Sequence, residues 1–96
     1  MRYFIEIAYN GTSYCGWQRQ PKALSVQQVL EEAISVFLRT PITVFAAGRT
    51  DAGVHAKQLF AHFDFPELEN IPETLHRLNA LLPSTISVTS ICKVKE

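Results

Sequence analysis

From Arg2 to Tyr9 apolar and polar positions alternate, with Tyr3, Ile5, Ile7 and Tyr9 on one parity and Arg2, Phe4, Glu6 and Ala8 on the other. A period of two predicts a half-buried strand, and Asn10-Gly11 ends it with a turn dipeptide. The segment from Asn10 to Leu24 carries no regular period; irregular stretches of this length are often functional. The period then changes. Val26, Val29, Leu30, Ala33, Ile34, Phe37 and Leu38 recur at helical spacing behind a capping box of Ser25 and Gln28. Glu31, Glu32, Ser35 and Arg39 fall to the outer face, and Pro41 stops the helix. Ile42 to Ala47 reads as a second strand. A third runs from about Lys57 to Phe65, with Leu59, Ala61, Phe63 and Phe65 alternating with Phe60, His62 and Asp64. Asn70, Pro72 and Glu73 open a second helix with Ile71, Leu75, Leu78 and Leu82 as its inner stripe and Pro83 as its end. Thr85 to Lys95 is the last strand, with Ile86, Val88, Cys92 and Val94 inward and Ile91 breaking the alternation.

The order is β-α-β-β-α-β. Two helices with one apolar stripe each cover only one face of a four-stranded sheet. The expected fold is therefore α+β and ferredoxin-like, an antiparallel sheet with both helices on one face. The other face, with Phe4 and Phe60, is left open, and an apolar open face usually meets something. Because the chain stops at Val94-Lys95-Glu96, in or just after a strand, it reads as one domain, residues 1–96, of a larger sheet.

Composition narrows the class. Hydrophobic residues at 47% and charged residues at 19% are ordinary for a globular domain. The formal net charge is zero, so composition does not favour a stand-alone nucleic-acid binder, which is usually basic. The cations nevertheless gather early: Arg2, Arg19, Lys22, Arg39, Arg49 and Lys57 all precede residue 61. Cys15 and Cys92 have neither zinc nor CxxC spacing and read as free thiols. No signal peptide and no membrane-length apolar run is visible, so a soluble cytoplasmic protein is expected.

The chemistry concentrates between the second and third strands, in Gly48-Arg49-Thr50-Asp51-Ala52-Gly53. Two glycines permit a tight backbone. Thr50 and Ala52 are small and leave Asp51 open to close approach. The Arg49 guanidinium favours an ionised Asp51, which is a possible nucleophile, and it can also grip phosphate. An Asx-turn aspartate beside a solvated arginine is the plain structural alternative. On the first loop, Trp17, Gln18 and Arg19 are candidate RNA contacts, since a basic and aromatic mixture binds by phosphate contact and stacking. Trp17 reads equally as an anchor that pins the loop to the sheet.

The run from Ala47 to Ala56, Ala-Gly-Arg-Thr-Asp-Ala-Gly-Val-His-Ala, resembles the signature of the tRNA pseudouridine synthase A (TruA) family. Tyr9 to Gln20, Ser25-Val26-Gln27 and Asn79-Ala80-Leu81-Leu82-Pro83 resemble further family segments, in the same order and along essentially the whole chain. The resemblance implies an isomerase that converts uridine in the anticodon stem-loop of tRNA to pseudouridine, with no cofactor and no metal. It implies that Asp51 is the catalytic aspartate, attacking ribose C1′ or uracil C6. Arg49 would occupy the space the base vacates or hold the adjacent phosphate, with a structural salt bridge to Asp51 as the alternative; base extrusion itself costs a few kcal/mol. Thr50 and His55 flank the aspartate as candidate substrate contacts, with the structural role of holding the hairpin favoured for His55.

Two departures stand out. Asn10 occupies a position where the family commonly has Asp. Family members also have a second, C-terminal domain that completes the cleft and brings a stacking tyrosine, and they are expected to be homodimers. The chain is thus expected to be an N-terminal half, weak or inactive alone. An acylphosphatase-like hydrolase is the first rival, but Cys15-Gly16-Trp17 makes a poor phosphate cradle. An RNA-binding module of the RRM type is the second. Its third-strand motif is missing from Lys57 to His62, so no aromatic platform is expected. A non-catalytic regulatory domain is supported by the fold alone.

Overall fold

The computed structural model describes residues 1–11, 14, 16, 17, 21, 23–46 and 56–94, with backbone alone at 56–58. Among the described residues the elements are, in order, β1 (Arg2–Tyr9), α1 (Val26–Leu38), β2 (Phe45–Ala46), β3 (Ala56–Asp64), α2 (Ile71–Leu81) and β4 (Ile86–Val94). The strands form one antiparallel sheet in the order β2-β3-β1-β4, the ferredoxin-like arrangement expected from the alternation of periods.

The two parities of β1 set the two faces. Tyr3, Ile5, Ile7 and Tyr9 are buried with Ala61 and Phe63 of β3 and with Val26, Leu30 and Ile34 of α1. Apolar burial of this kind is worth about 1.5–3 kcal/mol for each large side chain. Tyr3 stacks on Phe63 at 5.7 Å between ring centroids, and its hydroxyl accepts a 2.8 Å hydrogen bond from Leu68 N. The buried phenol oxygen is thereby satisfied while its ring fills the core.

On the open face the strand register lines up a row across the whole sheet. Phe45 and Phe4 both oppose His62, and Phe4 opposes Cys92. The His62 ring stacks on Phe45 at 5.4 Å and meets Phe4 edge-on at 6.0 Å. With Phe60 beside them, three phenylalanines stand about half exposed. This corrects the expectation that no aromatic platform exists. The rings come from β1, β2 and β3 together, which a motif confined to one strand does not reveal. At one end of the face, Arg2 pairs with Asp64 at 3.1 Å. That hydrogen bond holds the Asp64 carboxyl below the ordinary aspartate range, against an opposing desolvation.

Helix boundaries are set by the caps. Ser25, fully buried, accepts from Gln28 N at 3.1 Å, and Asn70 accepts from Glu73 N at 3.0 Å. The Gln28 amide donates onward to Glu32 at 3.4 Å. α1 ends before Pro41, at Arg39, whose backbone is left-handed (φ 58°) and whose N–H bonds Ser35 O.

Three expectations from the pattern are corrected. Glu31 is buried rather than outward, and Ser35 is half-buried. The second strand begins later than Ile42: Ile42 N donates to Ser35 Oγ at 2.9 Å and Val44 N to Glu31 Oε2 at 2.8 Å. Side chains of α1 thus take amides that a strand would offer to a ladder, and pairing with β3 begins at Phe45. In β4, Ile91 is buried and Cys92 exposed, with Val94 opposite the outward Arg2. The cause is a bulge. Glu6 opposes Ser90 but Ile7 opposes Val88, so Thr89 is the extra residue and every side chain beyond it changes face. Thr89 Oγ1 donates to Glu6 O at 3.1 Å at that point.

Candidate functional site

The predicted chemistry sits in the run that joins β2 to β3. Arg49, Thr50, Asp51 and His55 lie outside the described residues, as do Gln18, Arg19 and Cys15. What is described is the frame on both sides of them. β2 enters the run after Ala46, which opposes Ala61, and the chain returns to the sheet at Ala56, near Tyr9 of β1.

The first turns of α1 gather this frame. Val44, just ahead of β2, is fully buried. Its N–H donates to Glu31 Oε2 at 2.8 Å, and its carbonyl accepts from Gln27 Nε2 at 3.0 Å. Gln27 Nε2 also reaches Glu31 Oε2 at 3.2 Å. Residues one helical turn apart lie on the same face, so the two side chains close on one peptide position from both of its polar groups. Burying a carboxylate is expensive unless it is hydrogen-bonded, and Glu31 accepts two such bonds. Removing it would leave the Val44 amide without this partner, a loss of about 1–3 kcal/mol for a buried donor.

The same turn holds the first loop. Gly16 O accepts from Val26 N at 3.1 Å and Trp17 O accepts from Gln27 N at 3.0 Å. Gly16 has φ 111°, a backbone that favours glycine. The Trp17 ring is 3% exposed and packs in the core. At the other end of the loop, Asn10 N donates to Thr85 O at 2.9 Å, and the Tyr14 hydroxyl lies 2.6 Å from Thr85 Oγ1. Gln27 therefore touches both segments that carry predicted site residues: its N–H holds Trp17, and its side chain holds Val44. The contribution of Gln27 and Glu31 to this frame was not evident in the sequence pattern. Its signal is two polar residues one turn apart bordering the apolar stripe of α1.

A separate cleft of about 480 Å³ lies between the end of α1 and the start of α2, lined by residues that include Arg39, Phe65, Leu68 and Thr74. It contains none of the predicted site residues. Among the described residues no cluster of three or more His, Cys, Asp or Glu side chains has the arrangement of a metal site, and no helix is long and apolar enough to cross a membrane.

Comparison with known proteins gives the frame its meaning. The family model described as tRNA pseudouridine synthase matches residues 5–96. The chain belongs to the tRNA pseudouridine synthase family. It is 48% identical over 95 residues to a tRNA pseudouridine synthase A of Azobacteroides pseudotrichonymphae, covering 99% of this chain and 38% of that protein. A protein of the same name from Bacteroides fragilis is 50% identical over 95 residues, covering 98% and 38%. Another from Prochlorococcus marinus is 52% identical over 85 residues, covering 88% and 29%. The chain thus spans less than two-fifths of the length of these relatives.

Proposed function

We propose that residues 1–96 are the N-terminal domain of an enzyme that isomerises uridine in tRNA to pseudouridine, with Asp51 as the nucleophile. The observation that carries this reading is the family match across nearly the whole chain, which includes the run Ala47 to Ala56. The reaction breaks the bond from uracil N1 to ribose C1′, turns the base, and joins C5 to C1′. The C5 proton leaves and N1 gains one, so the product is an isomer. An ionised carboxylate begins either form of the attack, on C1′ or on uracil C6, and the neighbouring Arg49 favours that ionised state. Arg49 also fills the space of the extruded base or binds its phosphate. Thr50 and His55 contact the substrate beside it.

On this reading Trp17 anchors the first loop from within the core while Gln18 and Arg19 meet RNA. The substrate is the anticodon stem-loop, in the cytoplasm. A C-terminal domain of the longer, homodimeric protein completes the cleft, and the 96-residue chain alone turns over poorly or not at all. The test is tritium release from tRNA labelled at uridine C5. Full-length enzyme carrying this sequence should release tritium, and Asp51→Ala should lower kcat by at least about a thousandfold, the scale of losing a nucleophile. Wild-type kcat in Asp51→Ala would end the assignment. Turnover by the 96-residue chain would show that the site is complete within it.

A further inference from the structure

We propose that the open face of the sheet is a stacking platform for unpaired RNA bases, an inference that rests on reading the longer protein as an enzyme acting on tRNA. The face carries Phe4 on β1, Phe60 and His62 on β3, and Phe45 on β2. A four-stranded sheet that presents aromatic rings on one face has the layout on which RNA-recognition domains stack two or three bases. Each of the three phenylalanines is about half exposed. His62 braces two of them, stacked on Phe45 and edge-on to Phe4 with 86° between the planes. The rings are therefore held in place before a ligand arrives.

The size and charge of the face choose the occupant. A phenylalanine buries about 150–250 Å² when fully covered, so three half-exposed rings offer roughly 300 Å². A stable protein interface takes about 800 Å² from each partner. The β4 side of the face adds little apolar area, with Ser87, Ser90 and Cys92 opposite Ala8, Glu6 and Phe4. The row is thus small for a second copy or another folded domain. It suits two or three bases, whose flat faces leave water while their polar edges stay in it. Among the described residues of this face the permanent charges are Arg2, Asp64 and Glu6, and Arg2 is engaged by Asp64 at 3.1 Å. The contact is therefore with bases rather than phosphates. Paired bases are already stacked inside their duplex, so the ligand is single-stranded, as in an RNA loop.

The test is fluorescence anisotropy with the full-length enzyme and two labelled RNAs, an anticodon stem-loop hairpin and a fully paired duplex of its stem. Phe4→Ala and Phe60→Ala should each raise Kd for the hairpin about tenfold, on the scale of losing one base stack, and leave Kd for the duplex within about twofold. Phe4→Trp and Phe60→Trp keep a ring and should bind the hairpin within about threefold of wild type. Phe4→Leu and Phe60→Leu keep apolar area without a ring and should bind as weakly as the alanine variants. The salt dependence of Kd should be the same in wild type and variants, because stacking releases no counterions. Circular dichroism checks folding, and either position decides if a variant at the other does not fold. Leucine variants that bind like wild type, or alanine variants within about twofold of it, overturn the proposal. So does a change of oligomeric state with hairpin affinity kept, which would make a protein surface the occupant. Tritium release by an enzyme whose phenylalanine variants bind normally ends the platform alone. A wild-type enzyme that neither binds the hairpin nor releases tritium ends the tRNA reading beneath it.

Discussion

The halves β1-α1-β2 and β3-α2-β4 repeat one order of elements but secure their closing strands differently. β4 runs beside β1 from Ile86 to Val94 and is anchored mainly by the ladder, with Asn79 as an addition. β2 pairs with β3 at Phe45 and Ala46 among the described residues, and the backbone before it hangs on Ser35, Glu31 and Gln27. Ladder hydrogen bonds are redundant, and the loss of one leaves its neighbours. Side-chain clamps are few, so each matters more. The described backbone ahead of β2 is therefore held by side chains that single substitutions can remove.

The helices differ as well. α1 buries Val26, Leu30, Ala33 and Ile34, whereas Leu78 is the fully buried apolar side chain of α2, with Ile71 and Leu75 only partly covered. Leu30→Ala and Leu78→Ala should each cost about 2–5 kcal/mol in chemical denaturation. Beyond that shared loss, Leu78→Ala should let the amides of α2 exchange ahead of global unfolding, because little else buries that helix. Amide exchange that stays uniform across α2 and the sheet would show that the halves are equally well anchored.

A smaller effect is expected where α1 ends. Arg39 sits in the left-handed region at φ 58°, while α2 ends in extended backbone at Leu82. Arg39→Gly removes the steric cost of the left-handed conformation at that position and should raise stability by about 0.5–1 kcal/mol. A loss instead would mean that the Arg39 side chain contributes more than its backbone costs.

The smallest effect joins the halves. Arg2 of β1 depresses the carboxyl of Asp64 of β3 through an exposed hydrogen bond. A carboxyl whose value is lowered on folding adds stability above its unfolded value and loses it as pH falls through the folded one. The contribution is therefore present at neutral pH and disappears in the acid range below the ordinary aspartate value. Carboxyl NMR should show Asp64 titrating below an ordinary aspartate and moving up in Arg2→Ala. An unchanged midpoint would remove Arg2 as the cause.

Much of the architecture was legible along the chain. The alternation from Arg2 to Tyr9, the stripe from Val26 to Leu38 and the caps at Ser25 and Asn70 are local patterns, and local hydrogen bonds and periodicity act on neighbouring residues. The candidate site was legible as a motif, Gly48 to Gly53, because its residue types carry their own chemistry.

Tertiary structure decided what depends on residues distant in sequence. Glu31 looked outward by periodicity, yet Val44 offers an amide that brings the carboxylate inside. Ile91 broke a pattern that only the bulge at Thr89, read against Glu6 and Ile7, makes regular. The aromatic row of Phe45, His62 and Phe4 exists because three strands meet in register. A pattern along one strand or helix records which face a residue prefers. Which backbone group waits on that face is settled only when the elements pack.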